Sequence, residues 1–282
     1  MAIERREHDR TDVVELLDAM AEWEAPGGHV HGLHIGDIGW HLRMDDDKIA
    51  GTIHSWWLNG ELVATALIED ALARPRIAPA CVHDPDVCGA VAEVVDAIPH
   101  DEVFTEAQAG SMLRTLLVAR GWHLSSLWTA LHLDLRDVAP FAPDRITPTG
   151  SDVDARVDVQ FHGFDNSTFT PDAWHRMSAG PRFDPTLDLV AWDPEGIPVA
   201  GATAWSAGPG RCGILEPVAT HREHRRAGHG RRVVHAAFDA LAAVGASGVA
   251  VCTPGTNAGA IGLYTAAGMR PVETLQDLTR TR

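Results

Sequence analysis

The apolar and polar positions of the chain change period repeatedly, and each change marks an element. In the second half, the apolar run Leu187 to Trp192 reads as a strand, Asp193-Pro-Glu-Gly196 carries turn chemistry, and Pro198 to Trp205 pairs back as a hairpin. Gly208-Pro-Gly210 turns the chain into a further strand, Gly213 to Thr220. The period then becomes helical: Val233, Val234, Ala237, Phe238 and Leu241 share one face, and the pattern stops at Gly245. Gly248 to Thr253 is a short buried strand, Asn257 is placed to cap a helix running past Ile261 and Tyr264 to Gly268, and Met269 to Leu278 supplies a last strand.

The first half repeats this order in weaker form. Asp12 to Trp23 has Val13, Leu16, Leu17 and Met20 on one helical face, and Asp12 with Glu15 fits a capping box. Ser55 to Ile68 is a hairpin around Asn59-Gly60. Val91 to Ile98 is helical, Val103 to Ala107 a strand, Ser111 to Gly121 a helix and Leu127 to Leu135 a strand. Between the halves, three prolines and a glycine from Arg136 to Gly150 end both kinds of pattern, so two domains are expected, 1–140 and 145–282. Each half is an α/β (α+β) unit, with helices lying on a mixed sheet.

Composition narrows the function. With 45% apolar and 22% charged residues the chain is an ordinary globular one. The formal charge of −16 argues against nucleic acid, whose phosphates require a basic face. No run of about 18 apolar residues occurs, so a membrane partner is not expected. Four cysteines without a CxxC pair do not form a disulfide framework, and cytoplasmic residence is the expectation.

One segment reverses the charge. From His221 to Arg232 lie Arg222, Arg225, Arg226, Arg231 and Arg232 against a single acid, Glu223, at the glycine-containing start of a helix. Freed backbone N–H groups, the helix dipole and guanidinium groups together suit a phosphate, although a solvated basic face has the same charge. Arg225-Arg-Ala-Gly228-His-Gly230 resembles the pyrophosphate loop of the GNAT superfamily of acetyl-CoA-dependent N-acetyltransferases. Asn257-Ala-Gly-Ala-Ile-Gly-Leu-Tyr264-Thr-Ala-Ala-Gly268 is similar to a second segment of that family, in the family's order and spacing.

The resemblance implies two tandem GNAT folds, each a mixed, mostly antiparallel sheet flanked by helices, with acetyl-CoA as co-substrate and a small-molecule or peptide amine as acceptor. It implies that main-chain groups of Val218, Ala219 and Thr220 bind the pantetheine arm, and that Arg225, Arg226, Ala227, Gly228, His229, Gly230 and Arg231 hold the pyrophosphate. Asn257 would lie near the reacting end, though capping its helix is reason enough for an Asn. Tyr264 would be the general acid for the departing thiolate; it is the only tyrosine beside nine tryptophans, which favours its hydroxyl over its ring.

Glu216 is the candidate base, because it alternates with Val218 and Thr220 and stands among apolar residues that raise a carboxyl pKa. A water chain, His221, His224 or His229 are the alternatives. A non-catalytic acyl-CoA sensor and a mycothiol synthase-like enzyme are the other functional readings, with a monomer or homodimer expected. No metal is expected: His29-x-His31-x-x-His34 reads as a surface loop, Asp45-Asp46-Asp47 as a solvated turn, and Trp56-Trp57 as core.

The first copy lacks these features. His83 to Ala90 has two aspartates and no arginine, while Leu117 and Gly110 stand where the second copy has Tyr264 and Asn257. In similar tandem GNAT proteins, mycothiol synthase-like ones included, such a copy walls the substrate cleft.

Overall fold

The computed structural model describes all residues except Met1, Pro26, His29, His31, Ala139, Ala142, Pro143 and Arg282. The first half contains β1 (Glu4–His8), α1 (Val14–Glu22), α2 (Ile35–His41), α3 (Asp46–Ile49), β2 (Ile53–Leu58), β3 (Glu61–Glu69), β4 (Leu72–Ile77), α4 (Pro85–Asp96), β5 (Glu102–Thr105), α5 (Met112–Ala119) and β6 (His123–Asp134). The second contains β7 (Ile146–Pro148), α6 (Val153–Gly163), α7 (Pro171–Ser178), β8 (Asp188–Trp192), β9 (Pro198–Trp205), β10 (Cys212–Thr220), α8 (His229–Ala243), β11 (Gly248–Pro254), α9 (Ala258–Ala266) and β12 (Arg270–Thr281).

All strands join one 12-stranded sheet in the order β1-β2-β3-β4-β5-β12-β6-β11-β10-β9-β8-β7. Every pairing is antiparallel except β4 with β5 and β10 with β11. The halves exchange their last strands: β12 pairs with β5, and β6 pairs with β11 from Asp134 opposite Gly248 to Trp128 opposite Pro254. Side chains follow the hydrogen bonds. Leu131 of β6 lies in the core built on α8, and Leu278 of β12 lies in the core built on α4 and α5.

The elements that the pattern predicts form where it places them, with local corrections, and β1, β4, β7, α2, α3, α6 and α7 add to them. Asn59 and Gly60 both adopt positive φ and close the β2–β3 hairpin. The N-cap of α1 is Val13 rather than Asp12, which instead accepts from the Asp9 N–H. His34 is fully buried and caps α2 by accepting from Gly36, so it is not on a surface loop; His29 and His31 lie outside the described residues. Asp45 and Asp46 are half to mostly exposed and pair with Arg176 and Arg10, and Trp56 and Trp57 are core.

Two buried contacts fix the helices that carry the site. Arg156 of α6 is fully buried against Asp188 (Nε to Oδ1, 3.1 Å), and its other donors reach Gln160 and Thr203. Asp188 also accepts from Trp174 of α7, so a satisfied polar network ties α6 and α7 to β8 and β9. Helix α2 of the first half crosses onto the second at Trp205, where a Cβ on Gly36 or Gly39 would come within 2.4 Å of the indole side chain.

Gly39→Ala should therefore lower stability by about 1–3 kcal/mol through overpacking. Gly89→Ala in α4, where a Cβ meets no atom within 4 Å, should raise it by about 0.5–1 kcal/mol. Denaturant unfolding of the two variants measures both signs.

Candidate functional site

The parallel pair β10–β11 opens the sheet. The strands pair only through Cys212, Gly213 and Ile214 with Gly248, Val249 and Ala250, then separate. Toward β9, β10 stays paired at Val218, Ala219 and Thr220, with its register shifted between Leu215 and Val218. The β11-facing edge of these residues therefore lacks a strand partner, an arrangement that suits an extended ligand added as a strand.

The opening leads to the start of α8. Gly228 is its N-cap at φ +86°, preceded by Arg226 at φ +66°. Gly230 lets the helix abut β10, since a Cβ there would stand 2.7 Å from Thr220 Oγ1. The first-turn N–H groups have no intrahelical acceptor and point out of the helix end, as an anion site requires. The arginines divide their work. Arg222 donates to His162 O (3.0 Å), and Arg225 donates to Gly163 O (2.7 Å) and Thr220 O (3.4 Å), closing the C-terminus of α6. Arg232 holds Asp144 O and His229. Arg226 and Arg231 are exposed and form no hydrogen bond among the described residues, which leaves them free for an anion.

Glu216 lies on β10 where the strands have separated, and Tyr264 lies on α9 in the core beside it. Glu216 sits at the register shift before Pro217, with its carbonyl accepting from Trp205 Nε1 (2.8 Å). Its carboxyl is pushed up to about 7, chiefly by burial and then by the charge of Asp37; Arg74 and Arg43 pull it down and Glu106 pushes it further up. Tyr264 is 6% exposed in the α8 core, and its hydroxyl is raised well above the usual phenol range by burial and by the Glu216 charge. Both groups therefore hold their protons more tightly than in water, and they sense one another. Asn257 is exposed, with Oδ1 accepting from Ala260 N (3.1 Å) as the cap of α9.

Glu216 also borders a cavity of about 600 Å³ between the halves, lined from α2, β3, β4, the segment from Glu106 into α5, β6 and β10 to β12. Asp37, Arg43, Arg74, Glu106 and Asp277 line it, and none of these stood out in the sequence, because they come from separate elements that meet only in the folded sheet, Asp277 from the exchanged strand β12. A second cleft, of about 410 Å³, meets Glu216 from the side of Phe164, Phe169 and Pro217.

In the first half the equivalent helix end is closed. Asp84 caps α4 by accepting from Asp86 and Val87, Pro85 removes one N–H, and Leu117 is fully buried in the position matching Tyr264. Elsewhere, Asp158, His162 and His221 bring three ligand-type atoms within 4.8 Å of one another. The i, i+4 spacing of Asp158 and His162 was the sequence signal for that grouping.

With this geometry in hand, comparison places the chain. Residues 159–269 match the family model described as Acetyltransferase (GNAT) family. A GCN5-related N-acetyltransferase from Sphaerobacter thermophilus superposes with TM-score 0.59 at 19% identity, covering 99% of this chain and 95% of that one. A tandem GNAT protein from the clavulanic acid biosynthesis pathway gives 0.61 at 16%, covering 99% and 98%, and a GNAT-family acetyltransferase from Colwellia psychrerythraea gives 0.61 at 12%, covering both chains fully. No curated protein matches the sequence. The family likeness thus lies at 159–269, and the whole length has a fold seen in a tandem GNAT protein. No helix among the described residues is long and apolar enough to cross a membrane.

If the α8 end and its free arginines form the anion site, Arg226→Glu should weaken CoA binding by about tenfold or more. Gly230→Ala should do so as well, by displacing the helix from Thr220. Titration calorimetry with CoA tests both, with an unchanged Kd counting against the assignment.

Proposed function

We propose that the second half transfers acetyl from acetyl-CoA to a primary amine of a small molecule or peptide. The observation that carries this reading is the β10–β11 opening, with an anion-suited helix end beside it, Glu216 on its strand, and Tyr264 close enough to feel the Glu216 charge. The residues fit the co-substrate: the unpaired edge of Val218 to Thr220 would hold the pantetheine arm, and the α8 first turn with Arg226 and Arg231 the pyrophosphate. Acetyl-CoA would supply the acetyl group as an activated thioester.

The rest is the work of this chain's own groups. An acceptor enters as an ammonium and must lose a proton before its nitrogen can attack. Glu216, held near 7 at the wall of the large cavity, is the base that takes it, since a carboxylate of ordinary pKa would be too weak. Tyr264 keeps its proton at neutral pH and is the donor for the thiolate side, whose ordinary pKa of about 8.5 makes protonation helpful rather than obligatory. Pro217 and the Trp205 contact fix the Glu216 backbone, so the base is positioned before the acceptor arrives. The first half contributes the opposite cavity wall and no second anion-binding helix end.

The test is release of free thiol across a panel of amines. Because the base must be ionised, kcat/KM should rise with pH through about 7 and fall about tenfold per unit below it. Glu216→Gln should lose about 10²-fold or more in rate together with that limb, and Tyr264→Phe should lower kcat by about 10²-fold with little change in CoA affinity. CoA binding without thiol release from any amine would instead make the protein an acyl-CoA sensor.

A further inference from the structure

The large cavity reaches well beyond Glu216. Its far end lies at the counterpart opening in the first half, where β4 and β5 pair only at Leu72 with Phe104 and Ala73 with Thr105 before separating. The strands that follow contribute Arg74 and Glu106, and the exchanged strand β12 contributes Asp277. A flat sheet would separate β10 from β5 by four strand spacings, roughly 19 Å. Yet Glu106, Asp277 and Glu216 all line one cavity, so one small molecule can touch both ends.

The charges at this end do not balance. Arg74 donates to Asp37 (3.1 Å) and Glu106 (2.7 Å), so one guanidinium faces two carboxylates. Asp277 is 6% exposed, lines the cavity and accepts from Trp128 Nε1 through Oδ2 (2.7 Å); it has no ion pair among the described residues. Arg114 donates to the carbonyls of Ala107 and Gln276, and its charge with that of Arg74 pulls Asp277 down, so two guanidinium groups face three carboxylates. Glu106 and Asp277 are both held above the usual carboxylate range, first by burial, and Glu106 also by Asp37 and Asp277. A buried surplus of carboxylates is costly unless a cation offsets it.

We propose that the acceptor carries, besides the amine that is acetylated, a second cationic group, an ammonium or guanidinium, which seats beside Glu106 and Asp277 at the first-half end of the cavity. This rests on the reading of the cavity as the acceptor site. It gives the first half a positive task, selecting the far end of the acceptor. The second cation takes no part in the chemistry; it replaces the missing counter-charge and aligns the reacting nitrogen with Glu216.

Three acceptors of one chain length separate the cases: pentylamine, the terminal pentane diamine and the terminal aminopentanoic acid. The diamine should have a kcat/KM at least about tenfold above that of the monoamine, chiefly through KM, with the amino acid poorest. Glu106→Gln with Asp277→Asn should abolish the diamine's advantage while retaining CoA affinity, which shows that the variant is folded. Equal use of monoamine and diamine, preference for the amino acid, or an advantage that survives the double substitution would overturn the proposal. Calorimetry of the same compounds without acetyl-CoA reads binding alone. Tighter binding of the diamine with no turnover would therefore sink the acetyl-transfer reading and support the charge preference, whereas turnover with no preference would do the reverse.

Discussion

The backbone hydrogen bonds of β6 and β12 are the constraint on which the molecule rests. A strand buried between two neighbours must satisfy donors and acceptors on both edges. Each half fills that requirement with the other half's last strand: β6 lies between β11 and β12, and β12 between β5 and β6. The two cores are closed by side chains from opposite ends of the chain, as Leu131 and Leu278 show. The relative position of the halves is thereby fixed by sheet hydrogen bonds rather than by the segment joining them. The shared cavity inherits that rigidity, because its floor is these same strands.

A duplicated set of elements has been given opposite electrostatics. Both halves place a helix after a strand of a splayed parallel pair, and both helix ends offer free N–H groups. In the second half glycines leave those groups open and arginines surround them; in the first, Asp84 satisfies them internally and Pro85 removes one. The first-half opening is occupied by an ion-paired cluster around Arg74, which cannot admit a phosphate-bearing ligand on these charges but can complement a small cation. Glu216, between the two openings, feels both environments, and its raised pKa is the sum of burial and of carboxylates contributed largely by the first half.

Much of this architecture was legible in the sequence, and the failures have physical causes. Periodicity found the strands flanking Asn59-Gly60, helix α8 and the order of elements around the loop, because each buries one clean face. It did not find α6, whose sequence alternates apolar and polar residues and buries Arg156, a residue that is hidden only because Asp188, Gln160 and Thr203 satisfy it. Nor did it find β7, inside the stretch read as a linker, where Ile146 to Pro148 pair with β8. Tyr264 and Glu216 could be singled out from local motif and alternation. Arg74, Glu106 and Asp277 could not, since Arg74 meets Glu106 only across the β4–β5 pairing and Asp277 joins them only through the strand exchange, and no local pattern encodes either. Arg225, grouped with the loop arginines by charge, is tied to the end of α6.

The same exchange bears on how the chain acquires its structure during synthesis. When β6 has left the ribosome, neither β11 nor β12 yet exists, and β5 has no partner for its outer edge until the final strand is made. The nascent first half must therefore wait with an open sheet edge and an unpaired strand bearing Leu124 and Leu127, both of which remain more than half exposed even in the finished fold. Such edges invite pairing with other chains, and contacts this distant in sequence form slowly. The order of synthesis thus leaves these edges open until the last strand of the chain is made.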